Sequence, residues 1–159
     1  MNKKLTIKPG WREYLAQNLL WMLLIIAATI AIPLIRNDTW VRGAALLCMA
    51  GLILTQMVVF IKLTAVKWTI DDEQIARTMG VFSKTTDYTE LYRVTDYQEV
   101  QTFMQRIFGV KTLIVISTDK TDGQLPIYGY PAKADLKSFL RIKVENSKRI
   151  HNVYEITNR

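Results

Sequence analysis

Two long uncharged runs decide most of what this chain can fold into. "LAQNLLWMLLIIAATIAIPLI", residues 15–35, has no ionisable side chain, and "GAALLCMAGLILTQMVVFI", residues 43–61, has only Cys48. At about 1.5 Å per residue the first would span roughly 32 Å as a helix. That matches a bilayer hydrocarbon core of about 30 Å. In lipid only helices and closed barrels satisfy their own backbone, and uninterrupted runs of this length predict helices. The expected element is a membrane helical hairpin, with spans over 15–35 and 43–63 and a tight external loop over 36–42. Pro33 falls where the first span would exit. A cleaved signal peptide is excluded, because its apolar region is shorter and needs a small-residue cleavage site, which "TIAIPLI" does not offer.

The flanks set a direction. Lys3, Lys4, Lys8 and Arg12 precede the first span, while Lys62, Lys67 and Arg77 follow the second. The loop carries Arg36 and Arg42 against Asp38. The positive-inside bias predicts a multi-pass protein of the cytoplasmic (inner) membrane with both termini cytoplasmic, residues 1–14 forming a basic N-terminus. Trp11, Tyr14 and Trp40 sit where interfacial aromatic anchors belong. Gln17 and Asn18 read as interfacial polar residues. Gln56 lies deeper and is placed to bond the other helix or a second protein. No Asp, Glu, Lys or Arg stands mid-span, which argues against an ion or proton path.

Residues 62–159 hold 15 Lys and Arg against 12 Asp and Glu, a net +3 of the chain's +7. A nucleic-acid-binding domain would concentrate the basic excess on itself, so nucleic acid is not an expected partner. The single cysteine allows neither an intrachain disulfide nor a thiolate metal site. His151, near the C-terminus, reads as a solvated side chain.

Beyond residue 65 the pattern becomes that of a small antiparallel domain, expected over 66–150 with a tail at 151–159. "AVKWTI" and the stretch after "DDEQ" read as strands, and the turn at Gly80 follows about eight residues on. "LYRVTDYQEVQ" is a further strand. "FMQRIF" has helical spacing and stops at Gly109, which suits a left-handed cap. "VKTLIVIST" is nearly continuous apolar and β-branched, a central strand covered on both faces. "QLPIYGY" reads as a Pro-tolerant edge strand. From Asp135 the period changes: Leu136, Phe139, Leu140 and Val144 mark one face of an amphipathic helix. The expected fold is a membrane helical hairpin plus an α+β/all-β domain, an antiparallel β roll or sandwich capped by a C-terminal helix.

"WTIDDEQI", "GVFSKTT" and "LYRVTDYQEVQTFMQRIFGVKTLIVIST" together resemble the bacterial pleckstrin-homology-like (PH-like) family of small membrane proteins. Trp68, Ile75, Gly80, Arg93, Val94, Asp96, Arg106, Gly109 and Thr112 fit its pattern, while Lys111 and Leu113 depart from it. The resemblance implies a PH-type fold on a membrane anchor and no particular ligand. Relatives of the fold bind phosphoinositides through basic residues in the first hairpin loop. Here that loop holds Asp71, Asp72 and Glu73, which would repel phosphate.

Arg93 and Arg106 are candidate contacts for a partner or an anionic headgroup, against the simpler reading of structural ion pairs, Arg93 with Asp96, Asp87 or Glu99. Arg141 and Lys143 lie on the basic face of the C-terminal helix, where lipid contact competes with plain solvation. Tyr128 and Tyr130 on the edge strand are candidate partner contacts. The triad Asp71, Asp72 and Glu73 reads as a solvated hairpin tip. No nucleophile–base pair, paired acid constellation or glycine-rich phosphate loop is present, so no enzyme and no cofactor are expected. The expected function is an interaction or scaffold module at the cytoplasmic face, meeting the lipid bilayer and another membrane protein or its own copies. The alternative is a module that senses anionic lipid headgroups.

Overall fold

The computed structural model describes residues 4–34, 39–119 and 123–153. A short strand β1 (Leu5–Ile7) precedes helix α1 (Trp11–Ala31), which ends in a 3-10 turn at Ile32–Leu34, and helix α2 (Thr39–Thr64). Strands β2 (Lys67–Ile70), β3 (Gln74–Met79) and β4 (Thr85–Glu90) follow, then a 3-10 turn at Leu91–Arg93 and β5 (Val94–Val100). Helix α3 (Phe103–Phe108), strands β6 (Val110–Ser117) and β7 (Gln124–Pro131), and helix α4 (Leu136–Ile150) complete the chain.

The strands form two antiparallel sheets, β1-β2-β3-β4 and β5-β6-β7. β1 was not foreseen. It pairs with β2 across the whole helical hairpin, Leu5 opposite Ile70 and Ile7 opposite Trp68. The N-terminal segment is therefore part of the sheet. Helix α1 also begins four residues before the expected 15, and α2 begins at Thr39, inside the stretch expected as loop. Of the expected loop 36–42, residues 36–38 lie outside the described residues, as do 154–159 of the expected tail.

The core between the sheets follows the strand period. Trp68, Ile70 and Ile75 come from the first sheet, and Leu113, Val115, Leu125 and Ile127 from the second. Leu136, Leu140 and Val144 of α4 close it, as their spacing predicted, and Phe139 is half-buried beside them. Asp135 caps this helix by accepting from the Ser138 N–H at 3.1 Å. Each large side chain so buried contributes about 1.5–3 kcal/mol. β6 is central in its sheet, as expected.

Helices α1 and α2 contrast with this domain. Both are long and apolar enough to cross a membrane, and they are almost wholly exposed. Ten or more large apolar side chains along them, Leu20, Leu24, Ile26 and Leu54 among these, have no covering protein.

Candidate functional site

The joint between the helical hairpin and the sheets is built from polar side chains. Thr102 and Gln105 form a capping box at the start of α3: the Thr102 hydroxyl accepts from the Gln105 N–H at 3.2 Å, and Gln105 Oε1 accepts from the Thr102 N–H at 3.0 Å. That second bond commits the amide oxygen and leaves its Nε2 to donate elsewhere. It donates to both oxygens of Glu13, at 2.9 and 3.1 Å, and is 2.9 Å from the Thr112 hydroxyl. Gln17 Nε2, one turn along α1, donates to Glu13 Oε1 at 2.8 Å. Glu13 is 0% exposed, and no cation among the described residues pairs with it. Amides alone solvate this carboxylate, so its position is specified by every one of them.

Backbone geometry opens room for the joint. Gly129 has φ +68°, and a Cβ there would lie 2.8 Å from Glu13 Cβ. The first turn of α1 therefore rests on bare β7 backbone. The register changes at the same place: Lys111 faces Tyr130, whereas Leu113 faces Ile127. The extra residue on β7 turns Tyr130 inward, out of the phase that simple alternation gives.

The edge-strand aromatics are corrected accordingly. Tyr130 is 2% exposed and sits in the core. Its hydroxyl donates to Glu99 Oε1 at 2.9 Å, and Lys111 Nζ binds the same oxygen at 3.0 Å. Lys111 holds the Glu99 carboxyl below its ordinary range, and burial followed by the Glu99 bond pushes the Tyr130 phenol up. Tyr128 is half-buried edge-on against Trp68, ring centroids 5.7 Å apart. Tyr130 is therefore not the free aromatic contact that its edge strand led us to expect, while Tyr128 keeps part of its ring exposed.

The candidate cations are mostly committed within the domain. Arg93 lies in the 3-10 turn rather than on a strand, pairing with Glu90 at 2.9 Å and Asp119 at 3.8 Å. Of the three expected partners, Asp87 meets Arg77, Glu99 meets Lys111, and Asp96 accepts from the Tyr97 N–H. Lys143 binds Asp72 and lies over the Phe139 ring, while Arg141 pairs with Glu145 one turn on. The acidic turn is exposed at Asp72 and Glu73, as expected of a hairpin tip, and it is also paired: Lys4 binds Asp71 at 2.9 Å and holds its carboxyl below the usual range. Arg106 is exposed in α3 with no ion pair among the described residues. His151 is exposed, as expected, with its ring stacked on Tyr92 at 4.6 Å.

Of the three expected anchors, Trp11 and Trp40 are exposed, with Arg12 over the Trp11 ring. Tyr14 instead binds α2: its hydroxyl donates to Gln56 Oε1 at 3.0 Å, and its ring meets Phe60 edge-on. Gln56 thus bonds the facing helix, one of the two outcomes its depth suggested. Glu13, Gln105 and Thr112 were not singled out from sequence as a site. The signal available was "TFMQ", a capping-box spacing at 102–105, and an isolated acid at the head of an apolar helix.

Among the described residues no group of three His, Cys, Asp or Glu is placed to hold a metal ion. The geometry offers positioning contacts, and no nucleophile–base pair was found among the described hydrogen bonds.

No curated protein and no solved structure matches the chain. The Bacterial PH domain family model matches residues 16–143, which takes in α2, most of α1 and all the strands but β1. The two antiparallel sheets with a C-terminal helix are compatible with that fold, and by this match the chain belongs to the bacterial PH domain family.

Proposed function

We propose that this is an integral membrane protein whose α1–α2 hairpin crosses a bilayer and presents the PH domain at the cytoplasmic face as an interaction module. The observation that carries it is the exposure of both apolar helices beside a domain with a well-covered core. Burying so much apolar surface elsewhere requires lipid or protein, and the hairpin is long enough for lipid. β1 pairing with β2 supports a common side for the two helix ends nearest the domain. Flanking lysines and arginines support the cytoplasm as that side.

The module's partner in this reading is another membrane protein or further copies of the chain. Confinement at the membrane lets even weak contacts stay occupied. The commitment of Arg93, Arg141 and Lys143 to acids of the domain itself favours a protein partner over the alternative, an anionic-headgroup sensor. No enzymatic role enters the proposal.

The test is native mass spectrometry of protein mildly extracted from its own membranes, after an alkaline carbonate wash. Retention in the washed membranes with a second polypeptide, or a defined copy number, is the expected result. A monomer retaining one lipid would overturn the protein-partner reading, and release by carbonate would overturn the spanning hairpin.

A further inference from the structure

The β3–β4 hairpin is longer than its sheet requires, and its excess lies beside α2. Two residues separate α2 from β2, and Lys67, the first residue of β2, pairs with Thr78. Met79 and the following turn therefore extend past the start of β2, back toward the last turns of α2. There Met79, Val81 and Phe82 line one groove with Val58, Ile61 and Val66. Val58 and Ile61 belong to the uncharged run of α2 and are exposed. The turn is thus level with the end of the apolar helix.

Its chemistry fits that level. Turns in water favour Gly, Asn, Asp and Ser at their tips. This one presents Val81, exposed, and Phe82, fully exposed. Gly80 fixes the presentation: its φ is +108°, and a Cβ would fall 1.8 Å from the Ser83 carbonyl oxygen. Lys62 lines the same groove, and exposed Lys84 follows the tip. Apolar residues between lysines match a boundary between acyl chains and headgroups. Beside α1, helix α3 repeats the pattern, with Phe103 and Ile107 exposed on either side of the Gln105 that holds Glu13.

We propose that the β3–β4 turn is a bilayer contact of the PH domain, in which Val81 and Phe82 enter the acyl boundary of the membrane that the hairpin crosses. This rests on the proposed spanning of α1 and α2. The occupant of the groove is lipid because the groove is continuous with the α2 surface that the same lipid covers. Seated there and through α3, the domain is held in one orientation to the membrane instead of swinging on its two connections.

Three single-cysteine forms of the full chain test this, each carrying an environment-sensitive fluorophore in phosphatidylcholine–phosphatidylglycerol vesicles. One uses native Cys48. The others carry Cys48→Ser with either Phe82→Cys or, at the opposite end of β3, Glu73→Cys. Nitroxide-labelled lipids and aqueous iodide serve as quenchers. The expected result is several-fold stronger quenching by shallow nitroxide at position 82 than at 73, the reverse order with iodide, and quenching by deep nitroxide at 48. If position 82 behaves like 73 while 48 is quenched by lipid, the contact is refuted and the hairpin stands. Shielding of 82 from iodide without lipid quenching means a protein covers it, which also overturns the proposal. Absence of lipid quenching at 48 removes the spanning reading, and the contact with it.

Discussion

Glu13 and Gln105 stand 92 residues apart in sequence and join head-on, the Gln105 amide donating to both oxygens of the buried carboxylate. One residue begins the first apolar helix and the other caps a short helix between two strands. Through them the hairpin and the domain are one unit. Gln105→Leu should leave the carboxylate short of donors, at a cost of about 1–3 kcal/mol. Gln105→Glu should cost more, since it adds a like charge. Glu13→Gln should be milder than Glu13→Ala, because an amide oxygen can still accept from Gln105. Thermal unfolding of the full chain in lipid nanodiscs orders the variants. Amide exchange localised to α3 and the first turn of α1 would show that the joint, rather than the core, has opened.

Gly129 tests the same joint from the backbone side. Gly129→Ala must hold a left-handed conformation, worth about 1–2 kcal/mol against a non-glycine residue. The new methyl also meets Glu13 Cβ at 2.8 Å and Pro9 Cα at 3.2 Å. Loss of stability together with faster exchange at Glu13 and Tyr14 is expected. Gly10→Ala is the control, because nothing lies within 4 Å of a Cβ there.

The local patterns of this chain were readable, and the pairings across it were not. Leu136, Leu140 and Val144 disclose α4 because a helix writes its buried face at fixed spacing. Gly109 marks the end of α3 for a similar local reason: its φ is +66°. β1 is only three residues long, too short for a period, and its partner β2 lies beyond the entire hairpin. Tyr130, expected as a partner contact because it lies on an edge strand, is turned into the core by one extra residue on β7, which no local pattern discloses. The ion pairs of Arg93 and Lys143 depend on which loops meet in space, and charge pattern alone leaves several acids equally eligible.

Acid should destabilise the domain through its paired carboxylates. The Lys4 bond lowers Asp71, the Lys111 bond lowers Glu99, and the Ser138 side chain lowers Asp135. A depressed carboxyl binds fewer protons folded than unfolded, so its contribution is present above the ordinary carboxylate range, about pH 4. It is lost as pH falls through the lower folded values. Near-UV circular dichroism during acid titration should show an unfolding limb beginning near that range. Glu99→Gln should be slightly weaker than the parent at neutral pH, by about 0.2–1 kcal/mol as for partly exposed pairs. The difference should vanish at low pH, where the parent carboxyl is protonated too.

The Tyr14–Gln56 bond joins α1 to α2, and its worth depends on what surrounds the hairpin. Tyr14→Phe keeps the edge-on packing against Phe60 at 5.1 Å and removes only the hydroxyl. Gln56→Leu removes the acceptor. Interhelical hydrogen bonds in membranes average about 0.6 kcal/mol, because the separated helices also find partners for their polar groups. A double-mutant cycle measured by forced helix separation in bilayers should therefore give a coupling of that modest size. Additive single effects would mean that the hydroxyl and the amide do not meet in lipid. A coupling several times larger would mean that the separated helices cannot re-satisfy these groups. Gln56 would then set how the two helices face each other.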